Sequence, residues 1–146
     1  LKKLLMCLVF CSLLVWAVPA AQAQAQVPPP PGEVGVTPQA LQLLSFGQCQ
    51  IMQLPGEAKV YLDGFTSTQF PTDYVGLRIY LQRWDGEHWN DLTTYLYEGS
   101  NTDYVDGGFY YPVVRGYYYR AKGIHMARNG DITENMSSYS SSIMIE

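Results

Sequence analysis

Residues 75–82 alternate without interruption: Val75, Leu77, Ile79 and Leu81 on one parity, Gly76, Arg78, Tyr80 and Gln82 on the other. A period of two sends successive side chains to opposite faces of a strand, whereas a helix would scatter these apolar residues around its circumference. The segment is therefore a half-buried β-strand, and its neighbours must supply a sheet. Ala58, Val60 and Leu62 alternate in the same way with Lys59, Tyr61 and Asp63. So do residues 117–126, where Tyr117, Tyr119, Ala121, Gly123 and His125 share one face and Tyr118, Arg120, Lys122, Ile124 and Met126 the other. Two charges on the second face mark the first as the core side.

Turn signals punctuate these runs at Pro55-Gly56, Pro71-Thr72-Asp73, Asp106-Gly107-Gly108, Arg115-Gly116 and Asn129-Gly130. Asp85-Gly86 is a hairpin signal, because a tight β-turn there needs positive φ. A loop of two residues or of four is even. Either length sends Trp84, Trp89, Asp91, Thr93, Tyr95 and Tyr97 to one face and leaves Leu92 and Leu96 for the core. Residues 51–54, 102–105 and 109–114 read as shorter strands, and residues 132–145 as the last, with Ile143 and Ile145 inward. Thr37-Pro38 resembles a helix cap, and Ala40, Leu41 and Leu44 give one or two helical turns before Gly47, with a short strand as the alternative. About seven short strands over roughly 100 residues predict an all-β, antiparallel β-sandwich of immunoglobulin-like type.

The chain ahead of the sandwich reads differently. Lys2 and Lys3 precede an apolar run over residues 4–18, followed by overlapping Ala-x-Ala sites. That is a signal peptide over residues 1–25, cut after Ala25 or Ala23. The run is shorter than the roughly 20 apolar residues needed to span a bilayer, so secretion is expected, with no membrane association after cleavage. A proline-rich arm over residues 26–38 follows, and its polyproline geometry predicts an extended spacer. The sandwich domain is expected over residues 39–146.

Without the leader, 9 Lys and Arg fall to 7 against 13 Asp and Glu, so the net charge moves from −4 to −6. Nucleic acid demands a basic footprint, and this balance excludes it as a partner. Cys49 alone of three cysteines survives cleavage, so no intramolecular disulfide is available and the thiol reads as a small buried hydrophobe.

An apolar Val113, Gly116 and Tyr119, six residues after the valine, resemble the tyrosine corner of fibronectin type III and immunoglobulin-like sandwiches. The resemblance implies that the Tyr119 hydroxyl bonds backbone a few residues upstream. It departs from those families in lacking an early-strand tryptophan, with Tyr61 and Phe65 nearby instead, and in lacking a cysteine pair. The leader, the segment Leu77-Arg-Ile-Tyr-Leu-Gln-Arg-Trp84 with Trp89, and Gly116-Tyr-Tyr-Tyr-Arg120 resemble a group of small exported proteins of Gram-positive bacteria whose domain has no assigned function. That likeness implies localisation and leaves activity open.

Parity assembles one candidate site, an aromatic face centred on Trp84 and Trp89 with Tyr80, Tyr95 and Tyr118 beside them, extended by Arg120 and Lys122. Aromatics interleaved with hydrogen-bonding groups suit an extracellular glycan or a protein partner. Cross-strand aromatic pairs also stabilise hairpins by about 0.2–1 kcal/mol each without any ligand. No enzyme signature is present. Glu87 and Asp91, four strand residues or roughly 13 Å apart, are too distant for a glycosidase pair unless Glu87 lies in the turn, where the separation shrinks. His88 and His125 form no metal-binding spacing, so no metal or cofactor is expected; Asp85, Glu87 and His88 read as a solvated turn. The expectation is a non-catalytic binding module, with a structural protein that self-associates through a sheet edge as the alternative.

Overall fold

The computed structural model describes residues 27–32 and 41–146. The expected signal peptide, and the Thr37-Pro38 cap, lie outside the described residues. Eight strands and no helix make up the described part: β1 (Leu44–Gln53), β2 (Lys59–Thr72), β3 (Tyr74–Trp84), β4 (Trp89–Gly99), β5 (Thr102–Pro112), β6 (Tyr118–Asn129), β7 (Ile132–Tyr139) and β8 (Ile143–Met144). They form two antiparallel sheets, one ordered β1-β2-β5 and the other β4-β3-β6-β7, with β8 also on β6. The chain is an antiparallel β-sandwich, as the alternation requires.

Central strands carry the clearest alternation because both of their faces are determined. In β6 every second residue from Tyr119 to Ala127 is buried, and those between are half-exposed. The core lies between Leu77, Ile79 and Leu81 of β3, Tyr119 and Ala121 of β6, and Val60, Leu62, Cys49 and Phe109 of the facing sheet. Each such aliphatic side chain contributes about 1.5–3 kcal/mol by leaving water. Ile145 closes the end of this core and is fully buried. Only Asp73 separates β2 from β3, so the chain crosses between sheets at a single residue. The Asp73 carboxylate then accepts from the Gly130 N–H at 2.8 Å, tying the crossover to the β6–β7 turn.

Several expected boundaries are corrected. Residues 44–53 are a strand and not the tail of a helix, since pairing with β2 from Leu44 to Gln53 satisfies their backbone. Glu134 secures its start: the two carboxylate oxygens accept from the N–H groups of Gln42, Leu43 and Leu44 at 2.7, 2.8 and 3.0 Å. Residues 102–112 are one strand, not two. Gly107 and Gly108 are mid-strand, because a methyl at either would overlap the Tyr97 ring or the Tyr61 hydroxyl. The last run divides into β7 and β8, joined by residues 140–142. Gly116 does turn the chain, at φ +86°, and the Tyr119 hydroxyl donates to the Val114 carbonyl and accepts from the Val114 N–H, both at 3.0 Å.

Candidate functional site

The β3–β4 hairpin sets the geometry of the aromatic face. Its loop has four residues. The Asp85 carboxylate accepts from the N–H groups of Glu87 at 2.8 Å and His88 at 2.7 Å, and from the Asn90 amide at 2.7 Å. These bonds, led by the His88 N–H, then Glu87 and Asn90, hold its carboxyl at about 2. Gly86 supplies the positive φ, +112°. The even loop pairs Trp84 with Trp89, ring centroids 5.4 Å apart, on the outer side of the five-stranded sheet.

Beyond Trp89 the expected parity fails. Leu81 pairs with Thr93 but Gln82 pairs with Asp91, so Leu92 is an extra residue bulged out of β4. One inserted residue moves every later side chain to the other face. Tyr95, expected beside the tryptophans, therefore lies on the inner side, 4.3 Å from the Phe109 ring. Thr93 and Tyr97 go with it, and Tyr97 packs on the core. Leu92 and Leu96, expected in the core, are exposed, and Tyr95 also keeps 47 % of its surface open at this sheet edge. Tyr95 is no part of the outer face.

A polar relay stiffens what remains. The Gln82 amide donates to the Asp91 carboxylate at 2.6 Å, and Arg120 Nε donates to the Gln82 carbonyl at 2.8 Å. Arg120 is thereby placed between two rings, 4.3 Å from the Trp89 centroid and 4.4 Å from that of Tyr139. A cation over an aromatic face contributes about 0.5–2 kcal/mol depending on its desolvation. Tyr80 stands farther along β3 with Lys122 5.4 Å above its ring. Tyr118 begins β6 on the same side as Arg120, opposite Met144. The structure thus brings together Trp84, Trp89 and Arg120, with Tyr80 and Tyr118 at the margins. Tyr139 was not foreseeable from strand parity, because its contact with Arg120 depends on how far β7 extends.

Trp84 is only 6 % exposed, so it is not the open platform expected of it. Residues 27–32, expected as a spacer, lie on this face. The Trp84 indole N–H donates to the Pro28 carbonyl at 2.9 Å, and Val27 and Pro28 come within van der Waals range of the Gly86 position. A cavity of about 290 Å³ remains beside Pro30, Pro31, Trp89, Tyr139 and Ser141.

A second polar group sits in the core. His125 is fully buried, with Nδ1 2.8 Å from the Thr66 hydroxyl and Nε2 2.8 Å from the Ser138 hydroxyl. The Thr66 hydroxyl donates to the Gly76 carbonyl at 3.1 Å, which suits a neutral ring carrying its proton on Nδ1. Burial lowers the imidazole to about 4. Cys49 is also buried, and its sulfur lies 3.3 Å from the Ser138 hydroxyl. Folding therefore joins Cys49 to His125 through Ser138. The group is enclosed, and the neutral imidazole gives no charge to activate the thiol.

No protein-family model matches the chain, and no curated protein matches it. Among solved structures it is similar to the solution structure of R. palustris CsgH, with 11 % identity over 64 % of this chain and 90 % of that one and a TM-score of 0.36. These matches show no family for the chain, so the functional reading rests on the geometry of the aromatic face.

Proposed function

We propose that the chain is a secreted, non-catalytic binding module that holds a protein partner on the outer face of its five-stranded sheet. Secretion rests on the leader composition of residues 1–25. Binding rests on one observation: Arg120 is stacked between Trp89 and Tyr139 and anchored from beneath by Gln82 and Asp91. Trp, Tyr and Arg are the residues that anchor protein interfaces, and a pre-ordered guanidinium loses little freedom on binding. A peptide suits the face better than a sugar ring, since Trp84 already spends its N–H on a peptide carbonyl and is covered.

Titration of the secreted chain with synthetic peptides and soluble oligosaccharides, followed by tryptophan fluorescence, tests this reading. A saturable response to peptide is expected, lost in Arg120→Ala and Trp89→Ala while the circular dichroism of the fold persists. A ligand that binds both variants with unchanged affinity places the site elsewhere and removes the proposal.

A further inference from the structure

We infer that the trough over Trp84 and Trp89 reads polyproline-II segments, and that residues 27–32 of the chain's own arm occupy it as an internal ligand. This inference rests on the binding reading of the same face and names its partner: an extended, proline-rich peptide.

The arm has the chemistry of such a ligand. Val27 is followed by four prolines and Gly32. Consecutive prolines set φ near −65° and remove the N–H groups, leaving a stiff rod that offers carbonyl acceptors only. A polyproline helix repeats every three residues. Val27 and Pro30 are half-buried here, whereas Pro28, Pro29, Pro31 and Gly32 are exposed, the pattern of a three-fold rod resting one edge on a surface.

The sheet has the complementary chemistry. A buried indole N–H is a donor with no acceptor of its own, and Trp84 directs it to the Pro28 carbonyl at 2.9 Å. The rod starts at the β3–β4 turn, where a methyl at Gly86 would lie 3.7–3.9 Å from Val27 and Pro28. It continues to Pro30 and Pro31, which share a cavity with Trp89, Tyr139 and Ser141. Six residues at about 3.1 Å each reach roughly 19 Å, enough to cross the roughly 14 Å from β4 to β7 at ordinary strand spacing. Aromatic-lined grooves that bind preformed proline rods use the same combination of ring faces and a tryptophan or tyrosine donor.

Residues 33–40 join the arm to the domain, so the arm competes with any peptide arriving from outside. A short connection gives an effective concentration on the order of 1 mM. An arm whose free-peptide Kd is about 100 µM would then fill the trough roughly 90 % of the time and weaken an outside peptide about tenfold.

The experiment uses the chain starting at Gln26, which keeps every described residue and retains Trp84 and Trp89 as its only tryptophans. The two indole N–H signals are followed by heteronuclear NMR in this chain and in a variant with Pro28→Ala, Pro29→Ala, Pro30→Ala and Pro31→Ala together. All four sites precede the first strand, so the variant folds. The Trp84 signal is expected to move and to exchange faster with water in the variant. The synthetic peptide Val-Pro-Pro-Pro-Pro-Gly should restore it saturably there, and about tenfold more weakly in the parent chain. Trp84→Phe, introduced into the variant and followed at Trp89, should weaken the peptide about fivefold through loss of one hydrogen bond. A Trp84 signal identical in both chains overturns internal occupancy, and equal binding of Val-Ala-Ala-Ala-Ala-Gly overturns polyproline recognition. If Trp89 answers another synthetic peptide but not the proline peptide, the inference fails and the binding reading of the face stands; silence towards every peptide removes the two together.

Discussion

Acid should destabilise this protein through His125 before it reaches the carboxylates. The ring is fully buried between Thr66 and Ser138, and a methyl on Gly47 would overlap it. Burial lowers the group from 6.5 to about 4, so the unfolded chain binds a proton that the folded chain refuses. Stability is therefore complete above pH 6.5, falls as pH drops through the window from 6.5 to about 4, and levels off below it. The full loss is about 3 kcal/mol at 1.36 kcal/mol per unit, of which about 2 kcal/mol has gone by pH 5. Asp85 and Glu134, whose acidity folding also strengthens, have ordinary values of 3.8 and 4.5. Their contributions are lost only below those values, so the interval from pH 7.5 to 5 isolates the imidazole. Urea unfolding at half-unit steps across that interval measures the slope. His125→Gln should start lower at pH 7.5, through lost hydrogen bonds, yet stay level to pH 5 where the parent declines. A parent chain whose stability changes by less than about 0.5 kcal/mol over the interval, or a folded-state imidazole that titrates near 6.5 by NMR, would refute the reasoning.

Three further outcomes follow from the packing. Gly107→Ala forces a methyl into the Tyr97 ring and should cost about 1–3 kcal/mol in urea unfolding. Tyr119→Phe removes both bonds to the Val114 backbone; a loss of about 1–2 kcal/mol in thermal unfolding is expected, with the sandwich retained. In Glu134, burial alone would raise the carboxyl, but the N–H groups of Leu44, Gln42 and Leu43 outweigh it and hold it below its ordinary value. Glu134→Gln should therefore release the start of β1, seen as faster hydrogen exchange at residues 42–44 with little change elsewhere.

The sandwich was legible because strand parity is a local signal. The neighbours of Leu77 and Tyr119 in sequence suffice to decide which way each points, and burial of the inner face of β3 and β6 enforces the answer. Trp84 and Trp89 could be placed together for the same reason, since any even loop at Asp85-Gly86 gives one face. Parity carries no information about where it is reset. Leu92 is an ordinary strand residue, and nothing in its type marks the bulge that turns Tyr95 and Tyr97 inward. Gly107-Gly108 misled in the opposite sense. Glycine is the residue of turns, but here it is required mid-strand because side chains from β4 and β2 press on β5 from either side.

The arm illustrates the limit most sharply, because both partners were visible and their meeting was not. Trp84 and Pro28 are 56 residues apart, and no period connects a three-fold rod to a two-fold sheet. What joins them is an accounting requirement: an indole N–H that folding buries must find an acceptor or forfeit about 1–3 kcal/mol. The strands spend their own carbonyls on one another, so the acceptor has to come from a segment outside the ladders. A proline run is such a segment, with carbonyls to give and no N–H groups to satisfy. The aromatic hairpin and the proline-rich arm, read separately as a binding face and a spacer, are in this sense two halves of one hydrogen-bonding problem.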